Sequence, residues 1–551
     1  MISEISLQSG RTPNGNSECF APAPVNIFVG PNNSGKSTAL REISGTCSNS
    51  PHMHPKIIKK IKFKTYTEEE ARILIKEIAV TGVAADNEIL EIRAGRFVNL
   101  VNPATLLHQL TNTNQDMIGY IQNYLMYCVL SLNGEARTGL INEQAATNLH
   151  EHPTTTFQRL LTDLPSRKEI SRIIEEAFGL HFLLDATNLG KIRIRLSENT
   201  PPDDIERSLT EEAIKFQAAA EPIERYSDGV KAFTGIVTEL IAGNPQLIFI
   251  DEPEAYLHPS LAQKLGTEIS RLATKNNKQV FISTHSPYFI MGCISAGTPV
   301  NIIRLTHQKR VATGRLLRSH DIVELMRTAL LRSSGVLSGL FYDTVIVTES
   351  DADRVFYQEV NDRLLRFKSD LGIPNCLFLN AQNKQTVHII TKPLRKLGIA
   401  AASIVDIDVI KDGGQVWTKH LTAANIPDIS LQSLQNTRNN INKAFELTGK
   451  DMKRDGGVTL LTPDNQQAAR DFLDAVKSYG IFIVPNGELE SWLPELSITG
   501  EKSVWLTKIL ESMGDDPDSE GYVKPAQDDV WRFIGDIRNW ATNPDRKGMS
   551  D

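Results

Sequence analysis

Three observations predict an α/β chain built on two separate parallel sheets. Brief apolar runs of the kind that form buried strands alternate with helix-like stretches. The runs fall into two groups: Val25–Val29, Leu247–Ile250 and Val280–Ser283, then Thr344–Val347, Cys376–Leu379, Ala402–Val405 and Ile481–Val484. In both groups, runs end in loops whose residue types seek phosphate or metal. No repeat at a period of 20 to 50 residues and no low-complexity tract competes with this reading.

The first strand leads into Gly30-Pro31-Asn32-Asn33-Ser34-Gly35-Lys36-Ser37 and then a helix through Ala39, Leu40 and Ile43. This satisfies G-x-x-x-x-G-K-[ST] in the strand-loop-helix setting that the motif requires. The glycines let backbone N–H groups curl around phosphates, Lys36 reaches the β/γ oxygens and the Ser37 hydroxyl a Mg²⁺ ion. Asn32, Asn33, Ser34, Gly35, Lys36, Ser37 and Thr38 are the expected ATP-binding residues. Further on, Leu247–Ile250 ends in Asp251 and Glu252, one acid to hold the Mg²⁺ shell and the next to polarise the attacking water. Val280–Ser283 is followed by His285, placed to sense the γ-phosphate.

Between these motifs, Thr154 to Gly179 carries Phe157, Leu160, Leu161, Ile170, Ile173, Ile174 and Phe178, the pattern of a helical lobe. About 190 residues separate Lys36 from Ser227, too few for a long coiled-coil arm, and no sustained heptad appears. Lys56, Lys59, Lys60, Lys62 and Lys64 form one basic cluster. His307 to Gly335 forms another, with Lys309, Arg310, Arg315, Arg318, Arg327 and Arg332 against Asp321 and Glu324. Either could follow a phosphate backbone, and a solvated linker or helix face is the simpler account of both.

The second group begins with a strand running into Glu349-Ser350-Asp351-Ala352-Asp353 and a helix, Val355 to Phe367. A later strand ends in Asp406-Ile407-Asp408. Residues two apart on a strand share a face, so Asp406 and Asp408 are expected to point at one site. Carboxylates converging without compensating lysines repel one another, and Mg²⁺ or Mn²⁺ is the usual remedy for hard oxygen ligands. Unrelated surface acids at strand ends are the alternative.

Composition bounds the partners. The 551 residues include 59 Lys plus Arg against 66 Asp plus Glu, a formal charge of −7. Such a chain is not steered to nucleic acid by its overall field and must use local basic patches or metal ions. Five scattered cysteines without a C-x-x-C pair suggest a reduced, cytoplasmic chain. Residues 1–10, MISEISLQSG, carry an acid at position four and no apolar run, and no stretch reaches the roughly 18 apolar residues of a membrane span, so neither secretion nor membrane insertion is expected.

With Tyr226-Ser227-Asp228-Gly229-Val230-Lys231 ahead of a helix, residues 1 to 305 resemble the ABC-type ATPases of the SMC-like and RecF-like branch. That resemblance implies ATP held between two heads, Ser227 and Gly229 acting across a homodimer, and a sensing glutamine for which Gln109 and Gln115 are candidates. Glu349 four residues before Asp353, with Asp406-x-Asp408 later, is similar to the Toprim fold. The order of the two resembles the OLD (overcoming lysogenization defect) family of ATP-dependent nucleases. It implies Glu349 as acid/base or metal group, Asp353, Asp406 and Asp408 as metal ligands, Glu490 as a late ligand with Glu488 competing, and Lys384 on the scissile phosphate. The expected organisation is an ATPase domain at 1–310 with its helical lobe at roughly 100–225, a basic linker at 311–340, and a Toprim nuclease domain with C-terminal helices at 341–551. The resemblance further implies DNA cleavage gated by ATP, anti-phage defence, and a helicase or retron partner. A repair ATPase with a nucleic-acid-binding Toprim unit, a strand passer and an RNA-cutting nuclease remain open alternatives.

Overall fold

The computed structural model describes residues 1–12, 15–80, 89–94, 97–146, 148, 150, 153–202, 208–308, 311–318, 322, 335–500 and 502–549. The chain divides into two compact units, Met1–His320 and Asp321–Asp551.

Strands of the first unit are β1 (Ile2–Gly10), β2 (Ser17–Phe20), β3 (Val25–Val29), β4 (Ile58–Phe63), β5 (Leu90–Ala94), β6 (Phe97–Val101), β7 (Val129–Leu132) and β8 (Gln144–Ala145). They continue with β9 (His181–Asp185), β10 (Lys191–Ser197), β11 (Glu221–Pro222), β12 (Leu247–Asp251), β13 (Gln279–Ser283), β14 (Val300–Gln308) and β15 (Val311–Arg318). The central sheet has the order β15-β14-β3-β13-β12-β7, parallel except for the β14–β15 hairpin. Every residue of β3 and β13 is buried, which explains why these strands read as unbroken apolar runs. A second, antiparallel sheet, β2-β1-β4, packs its apolar face (Ile5, Leu7, Ile58 and Phe63) into the core shared with helix Lys36–Cys47.

The expected helical lobe contains more strand than expected. Helices Thr156–Thr162 and Leu164–Phe178 bury Phe157, Leu160, Ile170, Ile173 and Ile174. Within the same range, however, β7 is an edge of the central sheet, and β8 to β11 form an antiparallel sheet. The cause is the period-2 pattern of Lys191–Ser197, where Ile192, Ile194 and Leu196 are buried while Arg193 and Arg195 both bind Asp185 at 2.7 Å. The expected linker is corrected as well. Val311–Arg318 pairs with β14 along its whole length and belongs to the central sheet, and Arg315 is buried there. Lys309, Arg310, Arg327 and Arg332 of the basic run lie outside the described residues.

The second unit holds β16 (Thr344–Thr348), β17 (Cys376–Asn380), β18 (Ala400–Val405) and β19 (Ile481–Ile483), all parallel in the order β17-β16-β18-β19. The chain steps from β16 to β17 on one side and then crosses back over β16 to β18 on the other. The carboxyl ends of β16 and β18 therefore flank a topological switch point, where α/β sheets open a crevice. Helices Lys502–Met513 and Asp529–Thr542 cover the unit with Trp505, Trp531 and Ile534 in its core. No helix among the described residues is long and apolar enough to cross a membrane.

Candidate functional site

Two sites take shape, one in each unit. In the first, the loop after β3 turns at Gly30 (φ 143°), where a Cβ would sit 2.0 Å from the Leu305 carbonyl oxygen. Only glycine fits there. Gly35 (φ 100°) then opens helix Lys36–Cys47. A cavity of about 460 Å³ is lined by residues 32–38 with Arg41 and His285. The Ser34 hydroxyl is buried there with no hydrogen-bond partner, as a phosphate cradle requires. Lys36 donates to the Gly30 and Pro31 carbonyls at 2.9 Å each, and burial pulls its pKa down to about 8.

Asp251, at the end of β12, accepts from the Ser37 hydroxyl at 3.0 Å and from the Ser283 hydroxyl. Glu252 has φ 53°, held by its N–H on the Ser283 carbonyl at 2.9 Å and by Arg137 on its own carbonyl. Its half-exposed carboxylate lies 3.8 Å from His285 Nε2. Burial, with Lys36 nearby, lowers the His285 pKa. Sequence reading missed two residues. Arg41, one helical turn beyond Ser37, lines the cavity and donates to the Ser37 carbonyl at 3.2 Å. Glu254 accepts from the Thr284 hydroxyl at 2.6 Å and the His285 N–H at 2.9 Å, fixing the turn that presents His285. The run Asp-Glu-Pro-Glu carried that signal.

Ser227 is the exposed N-cap of helix Asp228–Ala242 and makes no side-chain cap bond. Gly229 has a packing reason for its identity, since a Cβ there would meet the Tyr256 carbonyl oxygen at 2.6 Å. Gln109 is buried and accepts from Asn123 at 3.0 Å, Gln115 is exposed, and neither lines the cavity.

In the second unit, Glu349 follows β16 and Asp406 follows the neighbouring β18. Glu349 Oε1 accepts the Asp406 N–H at 2.9 Å. Carboxylate oxygens of Glu349, Asp406 and Asp408 lie within 4.8 Å of one another. Burial first, and then the charge of Asp406, raises the Glu349 pKa far above the carboxylate range. Convergence of the two aspartates has a different origin from the one expected. β18 stops at Val405, and Asp408 lies in the 3-10 turn Ile407–Ile410, because the Ile407 N–H bonds the Gly487 carbonyl at 3.0 Å instead of continuing the ladder.

Three other expectations change. Asp353 is the N3 residue of a capping box. Its Oδ2 accepts the Ser350 hydroxyl at 2.6 Å and N–H at 2.9 Å, and it is not among the three converging acids. Glu490 lies in the short turn Leu489–Ser491, also outside that group, whereas Glu488 comes to 3.6 Å of Lys453. The acids are not uncompensated either. Lys384 Nζ lies 2.9 Å from Asp408 and 2.8 Å from Asp412, and Lys453 Nζ lies 2.8 Å from Asp406. Burial lowers both lysine pKa values, but the carboxylates outweigh it and hold both above the ordinary value. Asp408 Oδ1 is buried with no hydrogen-bond partner. A hard-oxygen trio with an unused lone pair fits a divalent cation.

Lys384 begins helix Lys384–Lys396, whose His388 packs edge-on against His420 at 5.9 Å. Burial, then His388, lowers the His420 pKa from 6.5 to about 4. His420 is therefore neutral when folded and protonates readily when unfolded. Its contribution is complete above pH 6.5 and is lost as pH falls towards 4. Urea denaturation is expected to show wild type losing up to about 3 kcal/mol across that window that His420→Leu does not lose.

Residues 166–291 match the AAA domain family whose description refers to the AbiEii toxin and a Type IV TA system. This span contains Ser227, Gly229, Asp251, Glu252 and His285 but not Lys36. The chain is 24% identical over 309 residues to the Old nuclease of Escherichia phage P2, across 52% of this chain and 49% of that protein. It is 22% identical over 303 residues to an ATP/GTP phosphatase of Helicobacter pylori, across 48% of this chain and 80% of that one. The match thus spans about half the length of the phage relative. The solved SMC head domain from Thermotoga maritima aligns with 57% of this chain and 99% of its own at 13% identity, with a TM-score of 0.29. By its sequence matches the chain is similar to OLD-like ATPases.

Proposed function

We propose that this chain is an ATP-hydrolysing, metal-dependent DNA endonuclease of OLD type, cytoplasmic, homodimeric and acting in anti-phage defence, with ATP gating a Toprim nuclease. The observation that carries the reading is the convergence of Glu349, Asp406 and Asp408 at the switch point of a parallel sheet, in a chain whose other unit holds a P-loop cavity. The similarity to Old nuclease and to an ATP/GTP phosphatase supports it. In the first unit Lys36 and the loop amides bind the phosphates, Ser37 and Asp251 hold Mg²⁺, Glu252 polarises the attacking water, and His285 contacts the γ-phosphate. Ser227 and Gly229 meet nucleotide held by a second copy of the chain, a reading that the exposure of Ser227 and its lack of a side-chain cap bond support.

In the second unit Asp406, Asp408 and Glu349 hold Mg²⁺ or Mn²⁺, with Asp353 and Glu490 flanking them. Bound there, the ions supply a water of lowered pKa and positive charge for the leaving oxygen. Glu349, whose oxygen accepts the Asp406 N–H, is the acid/base or metal-binding group beside the two aspartates, and Lys384 neutralises the scissile phosphate. Phosphodiester hydrolysis needs no coupled nucleotide, so ATP acts on conformation. A helicase or a retron is the partner class the OLD reading suggests.

Incubating supercoiled plasmid and duplex RNA in parallel with the chain, Mn²⁺ and ATP tests the substrate class. Plasmid is expected to be nicked or linearised and RNA left whole. Cleavage of RNA alone would transfer the reading to an RNA nuclease.

A further inference from the structure

We infer that Lys453 is a built-in counter-cation of the carboxylate centre, which a divalent ion must displace in order to bind. The inference rests on the metal-dependent reading above. Lys453 Nζ lies 2.8 Å from Asp406 Oδ2, 3.7 Å from Asp408 Oδ2 and 3.6 Å from Glu488 Oε2. It therefore pairs with Asp406 and lies beside Asp408, two of the three acids that converge within 4.8 Å. An ammonium held on Asp406 Oδ2 and a divalent ion among the same three acids repel each other and draw on the same negative charge, so the two compete.

The backbone shows that this contact is built. Asp451 Oδ1 accepts the Lys453 N–H at 2.9 Å, and Asp455 Oδ2 accepts the Asp451 N–H at 2.8 Å, closing a tight turn. Met452 beside it is buried, and the Val458 N–H bonds the Pro485 carbonyl at 2.9 Å. Two glycines permit the fit. A Cβ on Gly457 (φ 56°) would lie 2.1 Å from the Pro485 carbonyl oxygen, and one on Gly487 (φ 128°) would lie 2.1 Å from the carbonyl oxygen of Lys453 itself. The turn carrying Lys453 thus lies backbone against backbone on the loop that leads from β19 to Glu488. By contrast, Lys411 lies 3.6 Å from Asp451 with both side chains half exposed, an ordinary solvated pair. The flexible four-carbon stem of Lys453 allows the ammonium to leave without moving that backbone.

Mn²⁺ binding to the nucleotide-free full chain, followed by electron paramagnetic resonance of the free ion, tests the inference. Lys453→Met is expected to bind Mn²⁺ on the order of tenfold more tightly than wild type. In EDTA it is expected to melt roughly 3 °C lower, because the acids lose their counter-charge, and saturating Mn²⁺ should close that gap. Lys453→Gln, which keeps a donor for Asp406, should show the same tightening if the methionine variant does not fold. Lys411→Met should bind like wild type. Unchanged or weaker Mn²⁺ binding in both Lys453 variants, or equal tightening in Lys411→Met, overturns the inference and leaves the metal site standing. If wild type and Asp406→Asn/Asp408→Asn take up Mn²⁺ equally, the metal reading fails and this inference with it.

Discussion

Lys36→Ala is expected to weaken ATP binding roughly 100-fold, the loss of about 3 kcal/mol from charged hydrogen bonds to phosphate, and hydrolysis should vanish with it. The lysine is half pre-positioned. It bridges the Gly30 and Pro31 carbonyls within the cavity, and burial brings its pKa to about 8, so arriving phosphates meet an under-solvated ammonium. Glu252→Gln is expected to separate binding from turnover. The amide keeps the shape of the side chain and leaves the backbone at φ 53° in place, so ATP should bind as before. Hydrolysis should slow about 10²- to 10⁴-fold, the range for removing a general base. Equilibrium binding of a fluorescent ATP analogue and phosphate release measure the two effects. Unchanged hydrolysis in both variants would reject the site.

Asp406→Asn/Asp408→Asn is expected to reduce cleavage by roughly 10³-fold or more, since ligands to the metal supply several kcal/mol of transition-state stabilisation. Asparagine is the better probe than alanine. It leaves oxygen acceptors for Lys453 and Lys384, which would otherwise be left half-buried without them. ATP hydrolysis by the same variant should stay near the wild-type rate, which distinguishes loss of the nuclease centre from general unfolding.

What the sequence made legible depended on how local the determinant was. The P-loop could be read because its glycines, lysine and serine are contiguous and each has a local reason, such as the 2.0 Å approach at Gly30. Glu349 and Asp406 could be read because an apolar strand delivers each to the same edge of a parallel sheet. The geometry at Asp408 was not legible. Its turn depends on Gly487, about 80 residues away, accepting the Ile407 N–H. That the carboxylate of Asp353 closes a capping box with Ser350 was not legible, because the spacing of the acids is the same with or without that box. Lys453 left no pattern in the sequence, because its place is set by two glycines that let distant backbones touch. The strands of the expected helical lobe were missed where short runs such as Val129–Leu132 join a sheet whose other members lie far along the chain.

Incubation of wild-type chain with supercoiled plasmid, in Mg²⁺ or Mn²⁺ against EDTA and with or without ATP, tests the central claim most directly. The account predicts nicked or linear plasmid wherever the divalent ion is present with the permissive nucleotide state, and intact supercoils in EDTA. Plasmid that stays supercoiled with both ions in every nucleotide state, or cleavage that persists in EDTA, would contradict it.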